Sequence, residues 1–179
     1  MAYNLRDNKI ISDRLYLRLL TLADASAEYA GWLKDPEVNK FLETRDSSIE
    51  DLQNFIQKQI NDQNSLFYGI FDKSNDKHIG NLKLEPIDWP NKKAVFGILL
   101  GDKNYWGKGI GTEATQLIVD YAFGDMGLEQ IQLGVIDSNH RAIRVYEKVG
   151  FKVTEIKKQS VHHDDAVYDE VIMRVLKNN

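Results

Sequence analysis

The chain of 179 residues contains no cysteine. Disulfides, thiolate metal sites and a cysteine nucleophile are therefore excluded. It has only three prolines, none grouped into a linker, and no repeat or low-complexity stretch. One domain over residues 1–179 is the expectation, since domains commonly run about 100–200 residues. No run reaches the roughly 18 apolar residues of a membrane span. The opening MAYNLRDNKI lacks the apolar centre of a signal peptide. A soluble, cytoplasmic protein with no membrane partner is the expectation. Basic clusters are missing too: 23 Lys and Arg stand against 27 Asp and Glu, for a net charge of −4. That balance disfavours nucleic acid as a partner. What is present is 42% hydrophobic residues, enough for a sizeable core.

The periodicity of those residues predicts a mixed α/β sheet. Residues 15–20 alternate as a first strand, and 23–33 turn helical, with Asp24 as a cap and Pro36 disfavouring helix just before it. A second helix is predicted over 49–60, where Leu52, Phe55, Ile56 and Ile60 share one face. Then the period shortens. Residues 66–72, 78–87 and 94–101 read as an antiparallel meander, separated by the turn-rich KSNDK and DWPNK. A helix over 111–123 shows an apolar stripe of Ala114, Leu117, Ile118, Tyr121 and Ala122. A strand at 131–136, a short helix at 140–149 ending on Gly150, and strands at 151–158 and 166–176 complete the order.

Between the third meander strand and the long helix lies KNYWGKGIGTEA (103–114). Its predecessor AVFGILL is a near-continuous apolar run, as in a strand covered on both faces. Glycines permit positive φ and close approach of a ligand. The first N–H groups of the following helix lack partners and sit at its positive end. Together these make an anion site suited to phosphate, to which Lys108 adds charge and Thr112 a hydroxyl. Two familiar phosphate loops fail here. Five residues separate Gly101 from Gly107, and Gly109 follows Lys108, so the triphosphate loop is absent. The spacing GxGxG is also not the dinucleotide GxGxxG.

This turn, with DSNHRAIRVYEKVGFK (137–152), closely resembles the GNAT superfamily of acyl-CoA-dependent N-acetyltransferases. The family's pyrophosphate motif falls on Trp106, Gly107, Lys108, Gly109, Ile110 and Gly111. Trp106 departs from the usual Gln or Arg. The YWGKG form is similar to the ribosomal-protein N-terminal acetyltransferase (RimJ/RimL-like) branch. The second motif is complete at Asn139, Ala142, Tyr146, Gly150 and Phe151. The resemblance covers most of the chain and is weakest over 43–64. It implies a mostly antiparallel sheet flanked by helices and splayed between its two central strands, with acetyl-CoA as cosubstrate and no metal.

Acetyl transfer needs a neutral amine, and an alkylamine of pKa near 10.4 must first lose a proton. The thiolate that leaves has a pKa of about 8.5 and departs more easily beside an acid. The resemblance assigns that acid to Tyr146; the other reading is a core tyrosine, which then needs a polar partner. It assigns oxyanion donors and a pantetheine track to the backbone of Ile98, Leu99 and Leu100. Asn139 either contacts the pantetheine arm or simply caps a helix. Arg144 and Lys148 either meet phosphates or form a solvated face. For the base, the residues offer Glu85 and Asp88, whose pKa a half-dry cleft would raise, or a water chain to bulk. The SVHHDDA segment (160–166) is a polar hairpin tip, since adjacent His and Asp pairs converge poorly on one ion. With Glu43, Arg45 and Asp46 it is a candidate lining of the acceptor cleft.

Three functions fit these residues. The first is an N-acetyltransferase acting on a primary amine: a protein N-terminus or a small amine such as an amino sugar, polyamine or amino acid. WLKDPEV and the stretch IDWPNKKAVFGILLGDKNYWGKG are similar to amino-sugar acetyltransferases of the superfamily. The second is a non-catalytic acyl-CoA-binding module, which an intact Tyr146 opposes. The third is a nucleotide-binding module, which the failed loop spacing opposes. The chain would act as a monomer or homodimer.

Overall fold

A computed structural model describes residues 9–42, 45–163 and 166–178. Its elements are β1 (Ile10–Ile11), β2 (Leu15–Leu19), α1 (Ala27–Lys34), α2 (Ile49–Asn61), β3 (Leu66–Asp72), β4 (Lys77–Asp88), β5 (Lys93–Leu100), α3 (Ile110–Gly124), β6 (Gln130–Ile136), α4 (His140–Val149), β7 (Lys152–His163) and β8 (Ala166–Leu176). The strands form one sheet in the order β1-β2-β3-β4-β5-β6-β8-β7. Every neighbouring pair is antiparallel except β5 and β6. Among the described residues no helix is long and apolar enough to cross a membrane.

Two cores lie on opposite faces of the sheet. Ala114, Ile118 and Ala122 of α3, with Tyr146 and Val149 of α4, pack on one face against residues such as Leu17, Ile70, Leu84 and Leu133. Tyr29, Trp32 and Leu33 of α1, with Leu52 and Ile56 of α2, pack on the other against Leu20 and Phe67. Full burial of one such aliphatic side chain stabilises by about 1.5–3 kcal/mol.

Local chemistry sets most boundaries. Ser48 Oγ accepts from Asp51 N, and the Asp51 carboxylate accepts from Ser48 N in return, so α2 begins at Ile49. Asp35, before Pro36, takes an extended ψ of 117° and ends α1. Gly150, at φ 100°, ends α4.

Four expectations are corrected. The helix predicted over 23–33 is a 3-10 turn at Leu22–Asp24 followed by α1, capped by Ser26, whose side chain accepts from Tyr29 N. Asp24 does not cap it; its carboxylate is held by Arg18 at 2.6 Å and by Thr21 N at 2.7 Å. On α2, Phe55 is 38% exposed and Gln59 is buried instead, because Phe55 lies edge-on to Phe67 at the rim. On α3 the buried stripe takes in Thr115 and Val119, while Leu117 and Tyr121 are half-buried. The apolar run of β5 is not covered on both faces: Val95 is exposed, and Ile98, Leu99 and Leu100 are half-buried. The last three border a cleft.

Candidate active site

The cleft arises from strand pairing. Strands β5 and β6 pair only at Lys93–Val95 with Gln130–Gln132, whereas β5 stays paired to β4 as far as Leu100. Beyond Val95 the two parallel strands therefore part. Gly101 N–H donates to the Ile79 carbonyl at 3.0 Å. By the alternation of an antiparallel ladder, odd positions of β5 turn their polar groups to β4, and Ile98 and Leu100 turn theirs to the opened side. The Leu100 carbonyl accepts there from Trp106 Nε1 at 2.8 Å. Leu99 thus differs from expectation: its amide faces β4, and only its side chain reaches the cleft.

The opening is a cleft of about 610 Å³, walled by β5, the glycine turn, the start of α3, the end of β6 and α4. The turn is fixed from both sides. Gly101 has no room for a side chain, because a Cβ would run into the Trp32 indole. Asp102 is buried, which would raise its carboxyl pKa; Lys77 Nζ at 2.7 Å and Asn104 N at 2.9 Å outweigh that and hold it below the usual range. Gly107 and Gly109 then take φ of 74° and 79°, a left-handed backbone that other residues adopt only with strain. At Gly107 and Gly111 a Cβ would meet nothing within 4 Å.

Helix α3 starts at once. Its first backbone bond runs from Glu113 N to the Gly109 carbonyl, so the N–H groups of Ile110, Gly111 and Thr112 have no helical partner. A distant loop braces this turn. Glu113 accepts from Ser12 Oγ and Arg14 Nε, each at 2.7 Å, while Arg14 Nη1 donates to the Lys108 carbonyl at 3.0 Å. Burial would raise the Glu113 pKa, but Ser12 and Arg14 hold it lowered.

Across the cleft stands α4. Asn139 Oδ1 accepts from Ala142 N at 3.2 Å, so Asn139 caps α4 and also lines the cleft, with its Nδ2 without a partner among the described residues. Arg144 and Lys148 line the same wall. Tyr146 is 7% exposed. Its ring meets Phe96 edge-on at 6.2 Å and Phe151 at 5.9 Å. Burial pushes the phenol up to about 12, and its hydroxyl has no hydrogen-bond partner among the described residues.

Thus Ile98, Leu99, Leu100, Trp106, Gly107, Gly109, Ile110, Gly111, Thr112, Asn139, Ala142, Arg144 and Tyr146 come together in one cleft. Lys108 and Glu85 do not. Lys108 contributes its carbonyl to Arg14, and its side chain is exposed. Glu85 accepts from Gln59 Nε2 at 3.2 Å and from Lys83 Nζ at 2.9 Å. Asp88 accepts from Asn91 Nδ2 and Asn91 N, which together hold its pKa lowered. Because β4 is antiparallel to β5, both carboxylates sit beside the closed, paired end of β5 and β6 rather than the open end. Asp46 pairs with Lys34 at 3.2 Å, and Arg45 donates to the Leu42 carbonyl at 3.4 Å; neither lines the cleft. Glu43, Asp164 and Asp165 lie outside the described residues.

Sequence reasoning missed Glu37, Val38, Phe41 and Leu42 after α1, and Arg141, whose guanidinium lies 4.6 Å from the centre of the Trp106 ring. The WLKDPEV stretch was the one hint of the first group.

A splayed β5/β6 pair, a glycine turn feeding a helix and a buried phenol opposite define an acyltransferase scaffold. Residues 14–152 match the acetyltransferase (GNAT) domain model, and the chain belongs to that family of N-acetyltransferases. It is 32% identical over 148 residues to the uncharacterized N-acetyltransferase p20 of Bacillus licheniformis, covering 80% of this chain and 82% of that one. It is 31% identical over 113 residues to the spermidine N(1)-acetyltransferase of Escherichia coli, covering 63% and 59%. The crystal structure of spermidine N-acetyltransferase from Vibrio cholerae, in complex with CoA and spermine, shares the fold at a TM-score of 0.84 and 23% identity, over 92% of this chain and 96% of that one.

Proposed function

We propose that the chain moves the acetyl group of acetyl-CoA onto a primary alkylamine, by direct attack while both are bound. The convergence of the glycine turn, the opened edge of β5 and Tyr146 on one cleft carries this proposal.

The residues fit the cosubstrate. The turn from Gly107 to Thr112 offers unpartnered N–H groups, and the glycines leave open space above it; this suits a diphosphate. Arg144 and Lys148 add positive charge at the same wall. The opened edge of β5 offers main-chain groups of Ile98 to an amide-bearing arm, in the manner of an added strand. Bound acetyl-CoA supplies an activated thioester. Ile98 N–H faces the side where charge develops on the thioester oxygen, a donor already aimed. Tyr146 remains protonated across the neutral range and donates to the departing sulfur. With Glu85 and Asp88 outside the cleft, the acceptor proton passes to water at the mouth.

A polyamine is the favoured acceptor, supported by the stated substrates of the Escherichia coli relative and of the Vibrio cholerae structure. A peptide N-terminus is the second reading, supported by the YWGKG form of the turn.

CoA release measured over a panel of spermidine, amino sugars and peptides with free N-termini tests this. Turnover is expected to be greatest with spermidine. No release with any amine, with no acetyl-CoA binding, would contradict the proposal.

A further inference from the structure

The parted strands leave β5 supported on one side only. From Phe96 to Leu100 it is paired to β4 and not to β6. Strand pairing therefore does not set the distance between this edge and α4. Side-chain contacts set it instead. At the inner end Phe96 meets Tyr146 edge-on at 6.2 Å. At the mouth Trp106 meets Arg141, whose guanidinium lies 4.6 Å from the ring centre.

The contact at the mouth passes through the sheet. Trp106 packs with Leu42 and Leu99 against the core that α1 and α2 build on one face. Arg141 stands in the first turn of α4, on the other face, where Tyr146 and Val149 enter the opposite core. Continuous pairing of β5 with β6 would keep the two side chains apart; the gap lets them touch. Both line the cleft, as do Leu42, Leu99 and Leu100.

Trp106 also grips β5. An indole N–H donates and accepts nothing, and Trp106 Nε1 donates to the Leu100 carbonyl at 2.8 Å. That carbonyl lies at the outer end of the opened edge. With it taken, the outward main-chain groups left for an arm are those of Ile98 and the Leu100 N–H. The ring in turn holds Arg141, which pairs with no carboxylate among the described residues. One continuous connection thus runs from Leu100 through Trp106 and Arg141 to α4.

We propose that Trp106 and Arg141 are positioning residues. They form a strut across the mouth that fixes the spacing between the β5 edge and α4, and so holds the amide-bearing arm of the cosubstrate in line with Tyr146. This deepens the acetyl-transfer reading and rests on it. The strut acts on the arm and not on the phosphates, which separates it from a purely electrostatic part for Arg141.

S-Acetylpantetheine tests this, because it carries the thioester and the arm and has no phosphate. The acceptor is the fastest amine of the panel, and thiol release is followed. Trp106→Phe keeps a ring for Arg141 and loses the donor. It should lower kcat/KM for S-acetylpantetheine about tenfold, as a slight misplacement of reacting groups does, with Tm little changed. Arg141→Gln should do the same. The double variant should be no worse than the more damaged single variant, because two parts of one strut fail together. Unchanged S-acetylpantetheine kinetics in either single variant, with or without losses on acetyl-CoA, would overturn the proposal. So would additive losses in the double variant, or a wild-type protein that uses acetyl-CoA but not millimolar S-acetylpantetheine. A wild-type protein that neither binds acetyl-CoA nor releases CoA with any amine would instead overturn the acetyl-transfer reading beneath it.

Discussion

At the scale of single residues, Tyr146 is the proposed acid. Its burial raises the phenol to about 12, which suits the proposed donor role rather than that of a base. Replacing it by Phe keeps the packing on Phe96 and Phe151 and removes only the donor. The expected result is a fall in kcat of about 100-fold, the low end for a positioned acid, with acetyl-CoA affinity unchanged; steady-state kinetics and calorimetry check it. The pH profile follows. With water as proton acceptor, kcat/KM for the amine should rise up to pH 9.5, because free amine increases toward its pKa near 10.4. Tyr146 ionises only near 12, so no descending limb should appear in that range. A descent near pH 8.5 would remove Tyr146 from the acid role. The glycines separate by cause. Gly111 has ordinary helical backbone and open space around it, so Gly111→Leu should fold normally yet raise the KM for acetyl-CoA by filling the cleft. Gly109, at φ 79°, should lose stability as well when a side chain is added.

The element that matters most is the β5 turn leading into α3, and its brace lies far away in sequence. Ser12 and Arg14 hold Glu113, and Arg14 holds the Lys108 carbonyl. None of these touches the space proposed for the cosubstrate, yet they fix the backbone that would. Arg14→Ala should raise the KM for acetyl-CoA several-fold while shifting Tm little, as exposed ion pairs contribute about 0–1 kcal/mol. By contrast Ile118→Ala, at a fully buried site of α3, should cost about 2–5 kcal/mol in chemical denaturation without a specific effect on KM. Helix α4 was legible in the sequence because Asn139 and Gly150 bound it locally, and β3 because its alternation and turns are local too. The brace was not, because Arg14 and Glu113 meet only once β2 has reached α3. Nor was the exposure of Ile98, Leu99 and Leu100, since an apolar run looks the same beside a core and beside a cleft.

Over the whole molecule, two cores grip a sheet whose single parallel junction is only three residue pairs long. Both cores contain buried phenols. Tyr29 and Tyr146 are pushed up to about 12 by burial, and Tyr68 further, by burial with Tyr121 beside it. A raised phenol binds its proton more tightly in the folded state. Stability is therefore intact below the unfolded value near 10 and is lost as pH climbs from 10 toward 12. Thermal unfolding should give a flat Tm from pH 7 to 9.5 and a steep fall beyond, with tyrosinate absorbance rising as the fold is lost. Family membership was readable from the two motifs, and so was the glycine turn as a local feature of the chain. The full lining of the cleft was not: Glu37, Phe41 and Gly134 come from separated segments that only the folded sheet assembles. The central claim is that amides from Gly107 to Thr112 bind a diphosphate at the mouth of the parted strands. A crystal structure of the protein with CoA tests it most directly. The account predicts the diphosphate on those amides and the sulfur beside the Tyr146 hydroxyl; a diphosphate seated anywhere else would contradict it.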